Sequence, residues 1–264
     1  MINVAVIGCG YWGPNLIRNF CEVSEAKIIA CSDVKEVRLN YIKQRFPFIQ
    51  TYKNYLDVLN NNEIDAVSIA TPVSTHFKIA KESLLAGKHV LIEKPMTTTS
   101  KEADELIDIA KSKKRILMVG HTFEYSGAVN KIKDIVSSGE IGDIYYFDSN
   151  RVNLGLFQKD INVAWDLAPH DISMMLYVMD LKPVQVRAFG EAYINKGIED
   201  ILYIFLNFPK GIIAHIHVSW LAPVKYRRTV IAGSKKMVVY DDVENIEKVK
   251  VFDRGVVLTD TGSE

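Results

Sequence analysis

Ile2-Asn3-Val4-Ala5-Val6-Ile7-Gly8-Cys9-Gly10-Tyr11-Trp12-Gly13 is the stretch whose reading decides the fold. Ile2, Val4, Val6 and Ile7 make a short apolar strand, and the glycines follow at G-x-G-x-x-G spacing. Leu16, Ile17 and Phe20 then share one face of a helix. A second apolar run, Ile28-Ile29-Ala30-Cys31, ends in Ser32-Asp33. Strand, glycine turn, helix, strand and acid form the dinucleotide-binding fingerprint in the context it requires. Gly8 permits the tight turn, Gly10 lets backbone approach a pyrophosphate, and Gly13 lets helix and strand pack closely. The helix N-terminus offers unpaired N–H groups and a partial positive charge to the phosphates. Asp33 falls 20 residues after Gly13, where its carboxylate is expected to accept the adenosine ribose hydroxyls.

Outward from this unit the same alternation continues. Val37, Tyr41 and Ile42 space as a helix that Pro47 closes, and a short helix follows around Tyr55–Leu59. Asp65-Ala66-Val67-Ser68-Ile69-Ala70 is a nearly continuous apolar strand, as expected when helices cover both faces of a sheet. Ser74 or Thr75 is expected to cap a helix over Phe77–Ala86, which Gly87 ends. His89–Ile92 and Ile116–Val119 read as further strands on either side of a helix opened by Ser100. Strands alternating with helices through residue 120 predict a doubly wound parallel sheet, a Rossmann domain over 1–120.

The pattern changes at Gly120-His121. A helix is expected over Gly127–Val136, then a strand from Ile144 to Val152 and a polar connector from Asn153 to Asn162. Pro169 suits the first turn of a helix that Ile172, Met175, Leu176 and Met179 continue. Strands are predicted at 184–190, 201–208, 212–220, 226–232, 236–241, 246–252 and 255–259. Consecutive strands without helices predict a largely antiparallel sheet, hence an α+β domain over 121–264 for substrate binding and oligomerisation.

Composition sets limits on function. Hydrophobic residues make up 48% and charged residues 24%, the profile of a globular chain. Lys+Arg 32 against Asp+Glu 32 leaves no basic excess for a nucleic-acid partner. No apolar run reaches the length of a membrane span. The first strand starts at once, so no signal peptide is expected. Cys9, Cys21 and Cys31 form no zinc spacing or disulfide framework; all three read as small buried residues in a cytoplasmic protein.

Two places could carry chemistry. Ligands of open α/β sheets bind beyond the carboxyl ends of the strands, where Glu93-Lys94-Pro95 falls, so Lys94 is either a site cation or an ordinary loop lysine. Asp166 and His170 form the second place. With the helix starting near Ala168, His170 lies in its first turn, where the dipole favours the neutral base, and Asp166 is placed to orient the ring. The alternative makes Asp166 a helix cap and His170 a satisfied surface histidine.

Taken in order, the glycine turn, Ala70-Thr71-Pro72 with His76, Glu93-Lys94-Pro95, Gly120-His121 and Asp166-x-x-x-His170 resemble the Gfo/Idh/MocA oxidoreductase family across essentially the whole chain. The resemblance implies that Lys94 and His170 are the catalytic lysine and histidine, with Asp166 the acid beside them. It implies cofactor contacts from Gly8, Gly10, Tyr11, Trp12, Gly13, Asp33, Thr71, Pro72, His76, Glu93 and Lys94. The expected reaction is removal of a sugar-hydroxyl proton by His170 while hydride leaves the same carbon for nicotinamide, with Lys94 stabilising the alkoxide.

Within the family, His121-Thr122-Phe123-Glu124-Tyr125 and the connector from Arg151 through Trp165 look like the nucleotide-sugar branch, whose members oxidise C3 of UDP-N-acetylglucosamine or its uronic acid. Substrate contacts are then expected from Lys94, Tyr125, Arg151, Asn153, Asp166 and His170, and from Gln158 by position. Arg151 is expected to pair with a substrate phosphate or carboxylate, or to be solvated. A free polyol, simple sugar or trans-diol is the alternative substrate, and a non-catalytic cofactor sensor the alternative class. Asp33 favours NAD, whereas Lys35 and Arg38 keep NADP open. His215 and His217 share a strand face without a third ligand, so no metal is expected. A homo-dimer or homo-tetramer through the C-terminal sheet is expected. Family members usually continue past Thr261-Gly262-Ser263-Glu264, so a closing strand or helix is expected to be missing.

Overall fold

The computed structural model describes residues 1–155 and 157–255. Chain contacts divide it into two compact units, Met1–Gly120 and His121–Glu264.

The first unit is built on strands β1 (Ile2–Ile7), β2 (Ala26–Ser32), β3 (Gln50–Tyr52), β4 (Ala66–Ile69), β5 (His89–Ile92) and β6 (Leu117–Val119). Helices α1 (Gly13–Cys21), α2 (Glu36–Arg45), α3 (Tyr55–Leu59), α4 (His76–Leu85) and α5 (Ser100–Lys113) alternate with them. The strands form one parallel sheet in the order β3-β2-β1-β4-β5-β6, so the chain starts in the middle and winds outward both ways. Apolar clusters fill both faces: Val4, Val6, Ile17 and Ile42 on one, Ala5, Ile7, Leu84 and Leu106 on the other. Leu39 and Ile42 are the inward residues of α2, while Val37 and Tyr41 of the expected stripe face solvent. Cys9 and Cys31 are buried, but Cys21 is exposed at the end of α1, contrary to the expectation for all three. The caps also differ from expectation. The Thr75 hydroxyl does not cap α4 but donates to the Pro72 carbonyl at 2.7 Å, tightening the loop after β4.

The second unit contains α6 (Gly127–Ser137), β7 (Ile144–Val152), α7 (Val163–Met179) and strands β8 (Gln185–Glu191), β9 (Ile201–Asn207), β10 (Ile213–Ser219), β11 (Tyr226–Gly233), β12 (Met237–Asp241) and β13 (Val249–Phe252). Among the described residues these make a seven-stranded sheet ordered β13-β12-β11-β7-β10-β9-β8. All neighbours are antiparallel except β7 and β10, which run parallel from Tyr146↔Ile213 to Val152↔Ser219. The strand expected over 255–259 falls, beyond Gly255, outside the described residues, as do the four C-terminal residues and Leu156 of the connector.

One face of this sheet packs on α6 and α7 through Phe147, Ile204, Ile216, Val218, Ile132 and Met175. The other carries an aromatic and imidazole row. The Tyr203 ring stacks on His217 at 4.2 Å between centroids, and Phe205 lies against His215 at 5.0 Å.

The largest difference from the sequence reading is the start of α7. Asn162 caps it by accepting the Trp165 N–H at 3.2 Å, so the helix begins at Val163 and Pro169 lies inside it. Proline has no N–H to give the Trp165 carbonyl one turn back, and the apolar stripe carries the helix through that gap.

Candidate active-site residues

In the first unit the glycine turn is fixed by sterics. Gly8 has φ +97°, and a Cβ there would lie 2.6 Å from the Ala70 carbonyl oxygen. A Cβ on Gly13 would lie 2.1 Å from the Gly8 carbonyl oxygen, so α1 can start against the turn only with glycine. The Gly8 N–H donates to the Ser32 carbonyl at 2.8 Å and ties the turn to the end of β2. No side chain caps α1; Pro14 has no N–H, and the Asn15 and Leu16 N–H groups donate to the Trp12 carbonyl, each at 3.0 Å. Tyr11 and Trp12 sit exposed on the turn, ring edge to ring face.

Asp33 lies beyond β2 with its side chain buried. Its carboxylate accepts the Cys9 N–H and the Lys35 N–H, each at 2.8 Å, and the Arg38 guanidinium at 3.1 Å. A cavity of about 610 Å³ opens beside it, lined among others by Gly8, Asp33, Lys35, Arg38, Thr71 and Pro72. Gly8 of the glycine turn and a preorganised carboxylate on one cavity fit the adenosine part of a dinucleotide. The hydrogen bond with Cys31 and burial push the Cys9 thiol up.

The expected contact from His76 is corrected. The side chain is buried, with Nδ1 2.9 Å from the Pro95 carbonyl oxygen and Nε2 2.9 Å from the Thr71 carbonyl oxygen. The ring spans the two carbonyls, a neutral imidazole donating to one of them, and so lies between the loop after β4 and the loop after β5. Those loops present Thr71 and Pro72 on one side and Glu93 and Lys94 on the other. Burial pushes the Glu93 carboxyl up, and the Lys94 charge beside it pulls it partly back. A Cβ on Gly120 would meet the Glu93 carboxylate at 3.5 Å.

In the second unit Asp166 and His170 stand one turn apart on α7, half-buried and on the same face. Because α7 starts at Val163, His170 is mid-helix, and the dipole argument for its neutral form does not apply. The Trp220 indole N–H donates to Asp166 Oδ2 at 3.0 Å. The Phe123 ring stands edge-on to the His170 ring, centroids 5.1 Å apart at 63°.

Arg151 overturns both expectations held for it. Its side chain is 2% exposed, and its partner is a carboxylate of the chain itself. Nε donates to Asp171 Oδ2 at 2.6 Å and Nη2 to Asp171 Oδ1 at 3.3 Å. Tyr125 is exposed and Asn153 half-buried, with the Asn153 N–H bound to the Ser219 carbonyl at 3.1 Å. His215 pairs with Asp148 at 2.8 Å, and burial together with His215 holds His217 below the ordinary imidazole range. Among the described residues no group of three acids, histidines or cysteines is arranged to hold a metal. No described helix is long and apolar enough to cross a membrane.

Sequence reasoning missed Trp220 and Asp171. Asp171 had a local signal, since it follows His170 directly. Trp220 ends an apolar strand run and offered none.

Comparison with known proteins covers both units. Residues 2–121 match the model described as "Oxidoreductase family, NAD-binding Rossmann fold", and residues 129–239 match "GFO/IDH/MocA C-terminal domain". The myo-inositol 2-dehydrogenase of Thermotoga maritima is 26% identical over 265 residues, covering 96% of this chain and 79% of the relative. The UDP-N-acetylglucosamine 3-dehydrogenase of Acidithiobacillus ferrooxidans is 32% identical over 196 residues, 73% of this chain and 60% of the relative. The solved structure of that enzyme superposes with a TM-score of 0.82 at 27% identity, covering 96% of this chain and 80% of the other.

Proposed function

The chain belongs to the GFO/IDH/MocA oxidoreductase family and is an NAD-binding dehydrogenase, and we propose that it oxidises a ring hydroxyl, at C3, of a UDP-N-acetyl sugar. The observation that carries the chemistry is the placement of Asp166 and His170 one turn apart on α7, a carboxylate beside an imidazole. His170 takes the hydroxyl proton, Asp166 orients the ring and balances the charge it gains, and Lys94 donates to the oxygen as it becomes an alkoxide. NAD, when bound, supplies the hydride acceptor. The glycine turn, the α1 N-terminus and Asp33 hold it, and the His76 brace keeps Thr71 and Glu93 in register beside it.

The relative of 32% identity supports the nucleotide sugar. A second reading, a free polyol, is supported by the inositol dehydrogenase that matches 96% of the chain. Purified protein with NAD, assayed for NADH against UDP-N-acetylglucosamine, its uronic acid, myo-inositol and glucose, separates them. Turnover with the UDP sugars is expected, and turnover with myo-inositol alone moves the assignment to the polyol.

The protein is taken to act in the cytoplasm, where its three free thiols persist. The open face of the seven-stranded sheet is assigned to self-association. It exposes Phe189 at 64% and Phe205 at 46%, in edge contact with each other. Phe205→Lys should give a smaller species by light scattering.

A further inference from the structure

We propose that Arg151 and Asp171 form a positioning pair for His170, fixing the turn of α7 that carries the imidazole and, through Phe123, the plane of its ring. The inference rests on the reading of His170 as the base.

The pair is bidentate and buried, with both side chains 2% exposed. Asp171 Oδ1 also accepts the Ser149 hydroxyl at 2.7 Å, and Ser149 is 3.0 Å from the Thr229 hydroxyl, so the carboxylate is locked to both β7 and β11. Asp171 is the residue after His170, so a carboxylate pinned to the sheet pins the backbone beside the imidazole. The guanidinium reaches the ring a second way. Its carbon lies 4.7 Å from the centre of Phe123, and Phe123 stands against His170. Arg151, Phe123 and His170 thus form one contact series.

Stability alone does not account for this arrangement. Apolar residues of similar volume usually replace a buried ion pair without loss, because the charges must leave water to meet. A fixed fork next to the base does have a use, since small displacements of a reacting group lower turnover sharply.

The test compares Arg151→Lys and the double variant Arg151→Met with Asp171→Leu against wild type, with NAD and UDP-N-acetylglucosamine, or myo-inositol if the wild type turns over only that. Both variants should fold and keep NAD affinity and sugar KM within about twofold, while kcat falls about tenfold to a hundredfold. The acid limb of the kcat pH profile should move in both. A folded variant of either kind with wild-type kcat and an unmoved profile overturns the proposal. If Arg151→Lys does not fold, the double variant decides, and if neither folds the pair is a fold element and the proposal fails. His170→Ala is run in parallel: normal turnover there overturns the base reading instead.

Discussion

The indole N–H of Trp220, at the end of β10, holds the carboxylate of Asp166, in the first turn of α7, at 3.0 Å. The two residues are 54 apart in sequence, so the bond sets the acid's rotamer from outside its own helix. Trp220→Phe keeps the buried ring but removes the donor. The stability loss should be about 0.5–1.5 kcal/mol, the net worth of one hydrogen bond. Turnover should fall while NAD affinity, measured by fluorescence titration, stays at the wild-type value.

Lys94 is expected to act only as charge develops on the oxygen. Lys94→Ala should therefore lower kcat by about 10²–10³, the usual loss for one donor to a developing oxyanion, with NAD affinity retained. Loss of NAD binding together with turnover would make Lys94 a cofactor ligand alone.

Asp33 is held by Cys9, Lys35 and Arg38. Its negative charge opposes a 2′-phosphate, whereas Arg38 and Lys35 in the same cavity favour one. Asp33→Asn should raise the NADP-to-NAD ratio of kcat/KM, and an unchanged ratio would remove Asp33 from cofactor selection.

Gly13→Ala places a methyl group against the Gly8 carbonyl. Overpacking of this kind costs about 1–3 kcal/mol, and here it also opens the phosphate cradle. NAD affinity should drop further than the melting temperature alone explains.

Much of this was legible locally. Short apolar runs alternating with helices, the glycine spacing and the acid after β2 are short-range signals, and they located the parallel sheet and its cradle. What failed was long-range or competed locally. Pro169 looked like a first-turn residue because proline suits that place, but Asn162 supplied an earlier cap. Arg151 looked solvated because its partner lies 20 residues away on another element. The parallel pairing of β7 with β10 left no trace in either strand. His76 looked like a cofactor contact because it sits in the motif after β4, yet its two ring nitrogens are engaged by backbone carbonyls.

Glu93 gives a pH prediction. Burial raises its folded pKa above the unfolded value. A carboxyl group raised in this way binds more protons folded than unfolded, so its contribution to stability falls as pH rises through that interval. Glu93→Gln should melt higher than wild type at neutral pH, with the difference vanishing in acid, as thermal melts across pH would show.

Lys94 and His170 are proposed to serve one chemical step. The most direct measurement is a kinetic cycle of Lys94→Ala, His170→Ala and the double variant, each first shown to bind NAD. Groups acting as a unit are not additive, so the double variant should be little slower than the slower single. Single variants that turn over at the wild-type rate, or losses that multiply in the double, would contradict it.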